Sequence, residues 1–147
     1  MPLKMITKPE AVRRLVAVCP DFEDVWRQHL NWNHNEGEYI HVGVLAEWVV
    51  DRVAAGELAC LADLFDEAEA ILSVATAETR NLVVLGLLED IQMYALGKLT
   101  PKPETFDPDV VLGLLGAQAR REWFELIARY WDRYEPGRWR WRHTDGG

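Results

Sequence analysis

Serine is almost missing from this chain of 147 residues, with Ser73 as its single example. The neighbours of Ser73 form no glycine-rich elbow, so the sequence offers no serine nucleophile of the hydrolase kind. Neither GxGxxG nor GxxxxGK[ST] occurs, which leaves no phosphate-cradling loop. Cysteine is confined to Cys19 and Cys60, with no CxxC pair. Both lie in apolar helical contexts, and the expectation is two reduced core residues of a cytoplasmic protein. No apolar run approaches the roughly 18 residues that cross a bilayer. The opening segment from Met1 to Met5 lacks the long apolar region of a secretory signal.

The most informative absence is of positive charge. Residues 53–79 contain no Lys or Arg, yet they hold Glu57, Asp63, Asp66, Glu67, Glu69 and Glu78. Surface acids of a helix are commonly offset by bases three or four residues away, and here none is available locally. The whole chain carries a net charge of −8. That balance argues against a nucleic-acid partner, which requires bases to displace counterions from phosphate. It suits a basic protein partner, chiefly by speeding association. Solubility alone is the plainer explanation.

What is present reads as helix. Thr7-Lys8-Pro9-Glu10 has the form of a capping box, followed by Val12, Leu15 and Val16 up to Pro20. Asp21 is a cap for a second helix through Trp26, His29 and Leu30. Residues 31–38 read as a loop, and a third helix spans about Ile40 to Ala55, closed by Gly56. A fourth begins near Glu57, with Leu58, Leu61, Leu64, Phe65, Ala68, Ile71 and Leu72 at helical spacing. Asp63, Asp66 and Glu67 share the opposite face. Thr76 caps a run through Leu82–Leu88 that is apolar all round and continues to Leu96. This predicts a central helix, buried on most sides. A buried strand is the rival reading, but no second strand is available to pair with it. A proline-rich connector, Thr100-Pro101-Lys102-Pro103, leads to a short helix after Asp107. Trp123, Phe124, Ile127, Tyr130 and Trp131 then stripe a long helix over about 118–134. The expectation is an all-α, single compact domain over residues 1–137. Its six or seven helices would pack as consecutive antiparallel pairs, with room for an irregular solenoid-like arrangement. Residues 138–147 form a basic tail containing Trp139 and Trp141. Docking of that tail on the acidic body is expected, with no membrane partner.

Chemistry-bearing residues are few. His29, His34 and His41 flank a loop with Glu36 and Glu38, but their spacings do not share a helical turn and HExxH is absent. A polar, partly exposed loop is expected, and no metal site. Glu89 and Asp90 follow the most apolar run, where burial raises a carboxyl pKa and suits acid or base work. Adjacent helical positions point about 100° apart, so they form no dyad, and capping or pairing with an arginine is the plainer role. No catalytic residue and no cofactor is assigned. Trp48, Trp123 and Trp131 fall on apolar faces, whereas Trp26 and Trp32 stand beside the histidine loop as candidate interface anchors.

The run from Val83 to Gln92, with Phe106, Leu115-Gly116, Trp123 and Trp131, resembles a pattern in small acidic helical bacterial proteins. Some of these are of the immunity type encoded beside polymorphic toxins. The resemblance covers residues 80–132, and its matching positions look like fold determinants. It implies a non-enzymatic, cytoplasmic immunity protein that neutralises a toxin through an acidic surface. Asp63, Asp66 and Glu67 are the candidate contacts, Glu57 and Glu69 the rim, and Trp32 the apolar anchor. Two other readings stand beside it. One is a helical scaffold or homodimer, and the other is a small metal or acid–base enzyme using Glu89, Asp90 or the histidine loop.

Overall fold

A computed structural model describes residues 5–33 and 37–131, except the side chain of Asn33. Seven helices are present among the described residues. They are α1 (Lys8–Val16), α2 (Glu23–Asn33, entered through a 3-10 turn at Pro20–Phe22), α3 (Glu38–Ala54) and α4 (Leu61–Val74). α5 covers residues 77–95, in which a π-helical stretch, Val84–Glu89, interrupts the α-helix. α6 is Pro108–Leu112, and α7 covers residues 117–131, the last part of which, Ile127–Trp131, is also π-helical. The fold is all-α, and the one β feature among the described residues is an isolated bridge between Ile6 and Ala75.

The helix boundaries follow local chemistry. Thr76 accepts the Thr79 N–H at 3.2 Å, and Asp107 accepts that of Asp109 at 2.9 Å. Thr7 takes the N-cap position of α1, but its side chain makes no capping bond. Gly56 and Gly97 both have φ +73° just after α3 and α5, the left-handed geometry that closes a helix and favours glycine. Because α3 unwinds at Gly56, residues 57–60 form a turn and α4 starts only at Leu61. Leu58, expected on the apolar stripe of α4, therefore lies outside that helix and is exposed.

The apolar run places α5 at the centre. Leu82, Val83, Leu87, Leu88 and Ile91 are fully buried, and α5 packs against α1, α3, α4, α6 and α7. Gly86 lets α3 approach closely, because a Cβ there would sit 3.2 Å from a methyl of Val42. On the other side α7 buries Trp123 and Trp131. Gln92, fully buried, joins the two helices by donating to the Trp123 carbonyl at 3.0 Å and accepting the Trp131 indole N–H at 2.7 Å. A buried amide satisfied at both ends fixes the register of the two helices without leaving an orphaned polar group.

One expectation is corrected. Cys19 and Cys60 are not separate thiols but a disulfide with a Cα–Cα distance of 5.7 Å. They stand 41 residues apart in sequence. The return of α3 antiparallel to α2 brings the connector before α2 against the turn before α4, which local reading of either cysteine does not reveal.

Candidate functional site

Apart from Glu78 in the first turn of α5, the acids of the base-free stretch divide into two groups. Glu67 forms an ion pair with Arg14 of α1, and Glu57 with Arg52 of α3. Glu69 points to α7, where its carboxylate accepts the backbone N–H groups of Gln118 and Ala119, each at 2.9 Å. These donors belong to the first turn of α7, which has no intrahelical acceptor for them and favours negative charge. Tertiary neighbours thus supply the partners that the local sequence lacks. Asp63 and Asp66 remain exposed on the outer face of α4 and make no ion pair or side-chain hydrogen bond among the described residues. The tail over residues 138–147, expected to dock on the acidic body, lies outside the described residues, as do His34 and Glu36.

Trp32 is on a different surface. Its indole is 81% exposed at the end of α2, and Tyr39 and Ile40, 43% and 51% exposed, lie in the first turn of α3. Below this tip, His29 and His41 join their rings through a 2.8 Å Nε2–Nδ1 hydrogen bond, and Trp26 lies against both. The histidine region, expected to be a polar, partly exposed loop, thus includes a packed cluster on two helices, since His29 is buried. Each imidazole turns a nitrogen toward the other, so the pair acts as a clip between α2 and α3. The tip does not meet the acids of α4. It sits at the start of α3, whereas α4 begins past its end, and the 17 residues of α3 span about 25 Å.

The seam between α3 and α5 holds the third group. The Lys102 ammonium lies 2.7 Å from Glu47 and 3.0 Å from Asp51, with 11% of its side chain exposed, and stands over the Tyr94 ring. Burial would lower the Lys102 pKa, but the hydrogen bonds to Glu47 and Asp51 outweigh it and raise the value. Burial first, then Glu47, pushes the Tyr94 phenol up to about 12. Asp90 abuts Gly43, where a Cβ would fall 3.1 Å from its Oδ2. Burial, with Glu89 adding repulsion, raises the Asp90 pKa to about 6. Burial raises Glu89 in the same direction. The raised value suits Asp90 to proton exchange, but Lys102, the base of the seam among the described residues, is already engaged by Glu47 and Asp51. The grooves at the α5–α7 face, at the α3–α4 turn and beside His41 are lined by other residues.

Local reading of the sequence missed Lys102, Arg14 and Arg52 as partners of acids. Only Lys102 carried a signal, as a lone base held between two prolines in a stiff connector. A family model described as a domain of unknown function (DUF7674) matches residues 12–132. No curated protein and no solved structure matches the chain significantly.

Proposed function

The chain belongs to the DUF7674 family, a domain of unknown function, and from its own surface we propose a non-enzymatic binding protein of the bacterial immunity type. In this reading it neutralises a cognate toxin domain by covering a basic surface. The observation that carries the reading is Trp32, an indole 81% exposed at the end of α2, with Tyr39 and Ile40 also exposed at the start of α3. Clustered apolar side chains on a surface mark protein contacts, and Trp and Tyr dominate binding hot spots. Asp63 and Asp66, with the net charge of −8, supply the attraction for a basic partner. Such charge acts mainly on the rate of encounter, so it need not share a patch with the anchor. Glu69 leaves the contact set because its carboxylate serves α7, and Glu57 and Glu67 are divided between Arg52, Arg14 and any partner.

The test is co-purification with the toxin domain encoded by the neighbouring gene, followed by stopped-flow kinetics. Trp32→Ala is expected to speed dissociation about tenfold or more. Asp63→Lys with Asp66→Lys is expected to slow association and flatten its salt dependence. No complex with such a domain, or kinetics that neither change alters, ends this reading. A dimer seen by light scattering and abolished by Trp32→Ala would assign the tip to self-association instead.

Cytoplasmic residence belongs to the same proposal. It sits against the Cys19–Cys60 disulfide, because reducing compartments keep such pairs as thiols. Alkylation in intact cells followed by mass measurement reads the state directly.

A further inference from the structure

On the side of α5 away from the histidine cluster, α5 and α7 part to form an open groove of about 490 Å³. Val84, Leu85 and Leu126 give it an apolar floor, and Arg121, Glu125 and Arg129 stand along the α7 side. We propose that this groove binds an acidic helical peptide segment of a protein partner. Two of its carboxylates would meet Arg121 and Arg129, and an apolar side chain between them would rest on the floor. The proposal does not rest on the toxin reading, which uses other surfaces.

Four observations support it. First, each wall is π-helical over part of its length along the groove, although Asn81 and the residues from Arg121 to Leu126 are α-helical. Val84 and Leu85 open the stretch Val84–Glu89, and Arg129 and Tyr130 lie within Ile127–Trp131. π-helical turns are rare and recur at functional sites. Second, Arg121 and Arg129 are exposed and make no ion pair or side-chain hydrogen bond among the described residues, although Glu125 lies four positions from each. Third, the other acid of the wall is already neutralised. Glu122 pairs with Arg80 at 3.0 Å, and Arg80 is itself fixed by Gln118 and the Leu72 carbonyl, both at 3.2 Å. Among the described residues the rim therefore keeps two unpaired bases against one unpaired acid, the reverse of a chain with net charge −8. Fourth, the eight positions from Arg121 to Arg129 span at most about 12 Å, the α-helical rise, and slightly less because the helix is π-helical from Ile127. That matches acids eight positions apart on a second helix laid in the groove, a recurrent mode of peptide recognition. A nucleic acid is a poor fit, since two arginines on an acidic body offer few phosphate contacts.

The full chain, labelled with nitrogen-15, is titrated with an amidated helical peptide of about eighteen residues, long enough to hold helix. The peptide carries glutamates eight positions apart with a leucine midway. Binding is expected, with amide shifts centred on Asn81, Leu85 and Tyr130, and it weakens as salt is raised. Arg121→Glu or Arg129→Glu alone should weaken it about threefold, and the two together about tenfold or more. Both side chains are exposed, so an unchanged melting temperature verifies that the variants remain folded. Equal binding of a peptide with lysines in place of the glutamates would overturn the proposal. So would shifts centred elsewhere, indifference to both substitutions, or no binding at millimolar peptide. If inorganic phosphate alone reproduces the shifts and displaces the peptide, the groove is an ion site and the peptide proposal fails.

Discussion

Glu69 occupies the space that a side chain at position 116 would need. A Cβ on Gly116 would fall 2.6 Å from Glu69 Cγ and 2.8 Å from its Oε1. The same carboxylate receives the N–H groups of Gln118 and Ala119. Glycine at 116 is thus favoured by a close approach to the Glu69 side chain, not by its backbone angles, since φ −76° and ψ 178° suit any residue.

Two substitutions test that relationship. Glu69→Ala removes a charged cap and should cost about 1–2 kcal/mol. Gly116→Ala displaces the carboxylate and should cost a similar amount. Since both act on one contact, the double variant should lose clearly less than the sum, as chemical denaturation of the four proteins would reveal. Additive losses would mean that Gly116 acts independently of the cap.

Lys102 joins the connector after α5 to α3 through Glu47 and Asp51. Lys102→Met keeps the aliphatic stem but leaves the two carboxylates facing each other in a partly buried seam. A loss of about 1–3 kcal/mol is expected in urea denaturation. Adding Glu47→Gln and Asp51→Asn should recover part of it, because the repulsion is then gone. No recovery would place the role of Lys102 in packing over Tyr94.

The Cys19–Cys60 disulfide closes a long loop containing α2 and α3. Reduction, or Cys19→Ala with Cys60→Ala, should lower stability by about 2–4 kcal/mol through the freedom regained by the unfolded chain. Melting with and without reductant measures this for the native protein. The double alanine variant, which has no sulfurs to rejoin, should be insensitive to reductant.

The helical fold was legible because it depends on local patterns. Apolar spacing, Thr76, Asp107, Gly56 and Gly97 each act within a few residues, and the all-round apolar run over 82–88 correctly marked the central helix. What lay hidden depends on contacts distant in sequence. The stretch without bases looked unpaired because Arg14 and the N–H groups of α7 come from distant helices, while Arg52, just outside the stretch, reaches Glu57 across the end of α3. The cysteine pair was invisible for the same reason. Leu115-Gly116 stood out as a motif, yet its cause, the incoming Glu69, is encoded 47 positions earlier. Gln92 gave no sign of bridging two tryptophans, since a single amide in an apolar helix looks the same whether it faces solvent or a partner.

Asp90 provides a test in pH. Burial, and then Glu89, raise its pKa from 3.8 to about 6 on folding. Between those values the folded protein holds the Asp90 proton more tightly than the unfolded chain does. The contribution of Asp90 to stability therefore falls as pH rises from about 4 to about 6, and the charged carboxylate remains unfavourable above that range. Asp90→Asn keeps the shape and removes the titration. It should leave stability nearly unchanged at pH 4 and raise it at pH 7 by about 1 kcal/mol. The full shift would correspond to more, but Asp90 retains partial contact with water, which screens its charge. Denaturation midpoints of both proteins across this range measure the difference. A gap that is constant with pH would show that Asp90 titrates alike in the folded and unfolded states, and that its position against Gly43 carries no electrostatic burden.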